Sequence, residues 1–219
     1  MKAKMILLLL TVSTSAAMAQ TPGRQNHFPL GTFHKKNSNI NGISVGLYSG
    51  IDEGEKDNQN RNVHSNGLRL EAIGLGLLLP LIPNSPISEN GNTFNVADSI
   101  GPSEVINGFN LSPAGTVCDC ITNGISAGAI GQMSRQVNGI SASIIMNIAD
   151  KHNGIQLSMF NESYIMHGIQ VGLSNYGVRA KGLQIGIFNK SNNLKGVQLG
   201  LWNINQKRKL PILNWSFKN

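Results

Sequence analysis

The stretch from His167 to Asn205, HGIQVGLSNYGVRAKGLQIGIFNKSNNLKGVQLGLWNIN, decides the fold. It holds three copies of one unit: Gly, aliphatic, Gln, aliphatic, Gly, aliphatic, any residue, Asn. The copies open at Gly168, Gly182 and Gly196. Within each, the alternation is strict. Ile169, Val171 and Leu173 fall on one side of an extended chain, and Gln170, Gly172 and Ser174 fall on the other. Period-two alternation marks a strand with one apolar face. A helix needs apolar positions three and four apart, and each recurring glycine would cost it roughly 1 kcal/mol relative to Ala.

Working outward, the same opening recurs upstream at Asn153-Gly154, Asn138-Gly139, Asn123-Gly124 and Asn107-Gly108, at spacings of 14 to 16 residues. Outlying copies stand at Asn41-Gly42 and Asn66-Gly67. The repeat-defining glycines are therefore Gly124, Gly139, Gly154, Gly168, Gly182 and Gly196. Segments such as Asn189–Asn193 and Gln132–Gln136 separate the strands and carry turn-forming residues. A fixed period of this kind signals a repeat architecture, here all-β.

Met1–Ala19 has Lys2 and Lys4, an apolar run from Met5 to Val12 and the small-residue ending Ala17-Met18-Ala19. This is the layout of a secretory signal peptide, with cleavage expected before Gln20. The remainder, 20–219, suits a single β-repeat domain, most regular over 107–205. Its sixteen basic and eleven acidic side chains leave a net charge of +5. Residues 20–36 show little periodicity and read as loosely packed. The run 51–62 is charged and amide-rich and reads as a solvated loop; its acidic residues lack the spacing of a calcium loop. Residues 66–83 read as a strand apolar on both faces or a strand entering a buried loop.

The chain carries no phosphate loop, nucleophile elbow or dinucleotide fingerprint, and no His–Glu pair at helical metal-ligand spacing. After Asp119 the only acidic residues are Asp150 and Glu162, so paired carboxylates are scarce in the most regular half. Neither catalytic residues, cofactor nor metal is expected. Cys118 and Cys120 are the only cysteines. They read as two thiols on one strand face, as a local or inter-chain disulfide, or as a redox or metal site. The basic balance reads as charged strand ends, and export excludes nucleic acid as a partner.

Gln156, Gln170, Gln184 and Gln198 share one offset and would line up as a polar ladder if units stand in register. Phe160, Phe188 and Trp202 also share an offset and read as strand-end packing or an interfacial belt.

The run GLQIGIFNKSNNLKGVQLGLWN resembles the Gly-Leu-Gln-Ile-Gly-Leu repeats of an uncharacterised family of bacterial surface-repeat proteins, exported and often lipid-anchored. The likeness covers Asn107 to Asn205. It departs at Ser141 and Ser143, which replace Gln and Gly, and the chain lacks a lipobox cysteine. The resemblance implies a surface or outer-envelope location and no activity.

Two architectures fit. In the preferred one, strands of about ten residues, such as Leu194–Asn203, form an antiparallel meander closing as an outer-membrane-type β-barrel. Aliphatics would face outer-membrane lipid, and Leu213, Trp215 and Phe217 would mark the closing strand. The alternative is a β-solenoid of parallel coils, with Asn taking left-handed backbone at the corners. The matching functions are a structural or narrow-pore envelope protein and a secreted, periplasmic or surface binding module.

Overall fold

The computed structural model describes residues 23–49, 61–82, 84–87 and 101–217. The signal-peptide segment, most of the charged run 51–62 and residues 88–100 lie outside them. Among the described residues twelve strands follow one another: β1 (Gln25–His27), β2 (Leu30–Thr32), β3 (Ser38–Gly46), β4 (Val63–Glu71), β5 (Glu104–Ser112) and β6 (Val117–Gly128). Then come β7 (Gly131–Ala142), β8 (Met146–Leu157), β9 (Phe160–Val171), β10 (Ser174–Ile185), β11 (Phe188–Ile204) and β12 (Lys209–Ser216).

From β3 to β11 each strand pairs with the next in parallel, in sequence order. An antiparallel meander requires every neighbour to run the other way, so the barrel expectation is overturned. The chain is a β-solenoid in which each unit is one coil. A strand of twelve residues plus a two-residue corner, Gly172-Leu173 or Gly186-Ile187, returns the chain one rung higher. Hydrogen bonds continue through the corners, as from Phe188 N–H to the Leu173 carbonyl at 2.9 Å.

Register is set by glycine. Gly42, Gly67, Gly108, Gly124, Gly139, Gly154, Gly168, Gly182 and Gly196 pair in one unbroken column. All nine have φ between 125° and 157°, a region that side chains with a Cβ avoid. A Cβ on Gly67 or any later member would lie within 3.0 Å of the carbonyl oxygen of the glycine one rung before it. The corner asparagines, by contrast, are absent from the residues with positive φ. Asn161, Asn175 and Asn189 act through their amides instead, as described below.

Both ends are closed. β1 and β2 pair with the two halves of β3, and Phe33 fills the first coil against Ile40 and Val63. Residues 25–33 are thus a terminal rung and plug, not loosely packed chain. At the other end β12 lies antiparallel to β11, the only such pairing among the described strands. Solenoids need such ends, because an open coil exposes unpaired backbone.

After β4, residues 76–81 form a 3-10 helix, so of the two expectations for 66–83 the strand apolar on both faces is overturned: the strand ends at Glu71 and leads into a non-strand segment. Its Leu79, with Ile87, packs over outward residues of the coils, including Val117, Met133 and Ile148. That side of the stack is covered.

Candidate functional site: an amide core and an aliphatic face

The solenoid reverses the usual distribution of polarity. Gln156, Gln170, Gln184 and Gln198 are all buried, at 0–1 % exposure, and stack along the interior. From Gln170 onward each Nε2 donates to the Oε1 of the preceding glutamine, at 2.9, 2.7 and 2.8 Å along the series. The same nitrogens donate to backbone carbonyls six residues on, as Gln184 does to Lys190 and Gln198 to Ile204. Asn214 of β12 closes the series on Gln198 Oε1 at 3.3 Å. The ladder expected from sequence is therefore an internal cable. It presents no surface to a partner.

A second cable runs through the corners. Asn161 Nδ2 donates to Asn175 Oδ1 at 2.9 Å, Asn175 to Asn189 at 2.8 Å, and Asn189 to Asn203 at 2.8 Å. The same amides reach the carbonyls of Val171, Ile185 and Leu199 at the corner of the next coil. A fourteen-residue coil leaves too little room for a conventional apolar core. The interior is filled by amides that satisfy one another, as buried polar groups must, and by a single thread running from Ile106 through Val137 and Met166 to Leu194.

Thr122 interrupts that thread once, and His152 interrupts it again. It is fully buried, its Nε2 lies 2.7 Å from Ser141 Oγ, and its Nδ1 has no hydrogen-bond partner. Burial pushes its pKa down from 6.5 to about 4. Below pH 6.5 the unfolded chain takes up a proton that the folded chain refuses, so stability present above that pH is lost towards pH 4. The loss amounts to about 3 kcal/mol. Met occupies the next rung at position 166. His152→Met is expected to remove that part of the acid sensitivity, read as the difference between wild type and variant in urea midpoints at neutral and mildly acidic pH.

In the earlier coils Arg69 takes the glutamine's place, fully buried. Its Nε meets Glu104 at 3.0 Å, Nη1 meets Asn110 at 2.9 Å, and its guanidinium stacks 3.8 Å from the centre of the Phe33 ring. Thr116 Oγ1 donates to Glu71 Oε2 at 2.6 Å. These charges are consumed by one another and by the coil ends. Cys118 and Cys120 point inward beside Ile106 and are joined as a disulfide, with Cα atoms 5.2 Å apart. Among the described residues no three His, Cys, Asp or Glu side chains gather as a metal-binding group.

The aliphatic residues face out. One column runs Ile43, Leu68, Phe109, Ile125, Ile140, Ile155, Ile169, Leu183, Val197 and Trp215, apolar at every rung. A second, two residues on, runs from Val45 and Leu70 through Ala127 and Ala142 to Leu157, Val171, Ile185, Leu199 and Leu213. Corner residues Ile144, Met159, Leu173, Ile187 and Leu201 form a third. Members of all three are exposed, Leu201 at 69 % and Ile185 at 37 %. Phe160, Phe188 and Trp202 border the third column, exposed rather than packed inside.

Along the opposite border a surface ladder of asparagines runs Asn41, Asn66, Asn107, Asn123, Asn138 and Asn153, each amide on the previous carbonyl oxygen at 2.7–2.9 Å. His167, Lys181 and Lys195 continue it. Both asparagine ladders carry the same letter, and only its position relative to the glycine separates the surface one from the buried one.

No protein-family model, no curated protein and no solved structure matches this chain.

Proposed function

We propose that this chain is a non-enzymatic, exported β-solenoid of the cell surface or envelope, working as a binding module through its outer aliphatic face. The observation that carries the reading is the face itself: three parallel columns of apolar side chains with no charged residue among them, left open where the apolar residues of another side lie under Leu79 and Ile87. Monomeric soluble proteins rarely expose contiguous apolar patches beyond a few hundred Å², and larger ones mark interaction surfaces.

The rest of the molecule serves rigidity. Amide cables and the glycine column hold the columns straight. The buried charges around Arg69 are spent on closing coils, and the conspicuous glutamines are out of reach of any ligand. The signal-peptide pattern of Met1–Ala19 and the resemblance to bacterial surface-repeat proteins support the envelope address.

The test is fractionation of cells expressing the full chain, with protease added to intact cells. The expected result is a processed protein outside the cytoplasm. An uncleaved chain confined to the cytoplasm would overturn the reading.

A further inference from the structure

We propose that the occupant of the aliphatic face is a second copy of the same chain, packed face to face about a two-fold axis. The inference rests on the binding-module reading and names its partner.

Size comes first. Ten rungs at about 4.8 Å, five extended residues wide over the five rungs that carry the third column and three wide elsewhere, give a footprint of about 630 Å². Side-chain relief and the bordering aromatics bring it close to the roughly 800 Å² per partner of a stable complex. Composition agrees: an apolar centre with a polar rim is the anatomy of such interfaces, and here the asparagine ladder is the rim.

Shape then separates a protein copy from a lipid surface. In-register stacking turns each column into a continuous ridge, and another stack with the same rung spacing offers matching ridges and grooves. A lipid surface offers none. It would also call for cations along the rim, whereas the rim is neutral amide from Asn41 to Asn153, with Lys181 and Lys195 confined to one end.

The two-fold axis runs across the stack. This direction sets the lysine end of each copy against the asparagine end of the other, and keeps like charges apart. Such a contact is isologous and closes as a pair. The β12 cap blocks the end-to-end growth that an open sheet would permit.

The experiment is sedimentation of the full wild-type chain without detergent, from low to high micromolar concentration, alongside Ile185→Glu and Lys190→Glu. Wild type is expected at twice the chain mass. Ile185→Glu, an outward substitution that leaves the interior intact, is expected to weaken association by roughly 100-fold or more, because it buries an unpaired carboxylate at the contact. Lys190→Glu lies outside the three columns and should leave the pair intact.

A wild type that is monomeric across the range overturns the proposal. So does a pair that persists in Ile185→Glu with an unchanged circular dichroism spectrum. A monomer that binds phospholipid vesicles overturns it in favour of a lipid surface. A monomer that is nevertheless exported sinks the pair alone, whereas a dimer retained in the cytoplasm sinks the envelope reading and spares the pair.

Discussion

Gly182→Ala is expected to destabilise the protein by about 4 kcal/mol, enough to unfold a chain of ordinary stability. Two costs combine. Gly182 has φ +137°, a conformation costing an L-residue about 1–3 kcal/mol. The new methyl would also sit within 3.0 Å of the Gly168 carbonyl oxygen, so that two rungs would have to separate. Such overpacking adds about 1–3 kcal/mol. Gly177→Ala is the control. Its φ is ordinary, its register partners are Ser163 and Ser191, and its nearest neighbour would be the Ala180 Cβ at 3.1 Å. Chemical denaturation should show a loss of no more than about 1 kcal/mol there. Equal losses at the two positions would remove the glycine column as the element that sets register.

Gln184→Ala is expected to cost about 3 kcal/mol, from an unfilled interior and from amide partners left in the dark. Gln170 Oε1 would lose its donor, and Gln198 Nε2 would keep only the Ile204 carbonyl. The neighbouring outward substitution Ile185→Ala, measured in dilute protein, should cost about 1–2 kcal/mol, because that side chain keeps 37 % of its surface in solvent. Truncating a glutamine would then hurt more than truncating an isoleucine one residue away. Equilibrium urea unfolding of the two variants decides it, and the opposite order would mean that the aliphatic side is the core.

The period and sidedness of each unit are legible in the residues from Gly168 to Asn203, but the corners are not. Asn189–Asn193 and Gln132–Gln136, expected to separate strands, lie inside β11 and β7, and the chain turns instead at pairs such as Gly186-Ile187. The direction of pairing is not legible either, for a physical reason. Alternation of Ile169, Gln170 and Val171 only says that one side of the strand is apolar. A membrane barrel with a polar lumen and a solenoid with an amide interior both place Gln inside and Ile outside.

What separates them is the conformation of the glycine opening each unit, and a one-letter code does not carry φ. One signal pointed the right way: every connection looks alike, whereas turns at opposite ends of a barrel face different surroundings. A drift from 16 to 14 residues between units disturbs regular stacking. The structure absorbs it in irregular rungs, such as the register shift between Cys118 and Ile121.

The role of the corner asparagines was also hidden. Left-handed backbone at Asn and a bridging Asn amide leave the same letter at the same offset. The buried ion pairs of Arg69 depend on Glu71 and Glu104, and the latter, 35 residues away, is brought near only by the intervening rung geometry. The aliphatic columns were visible as a pattern. Their continuity over ten rungs became apparent only once Ile43 and Trp215 were in the same line.

The most direct test of parallel, in-register coils is disulfide formation between paired cysteines at Lys181 and Lys195, outward side chains that are register partners. Neighbouring strands stand about 4.8 Å apart, within reach of a disulfide. Lys181→Cys/Lys195→Cys is expected to close an intramolecular bond rapidly under mild oxidation, with the native fold retained. The comparison variant Ile187→Cys/Lys195→Cys, whose positions would face each other across an antiparallel turn at Ser191, should stay reduced. Closure in the second variant and none in the first would contradict the solenoid.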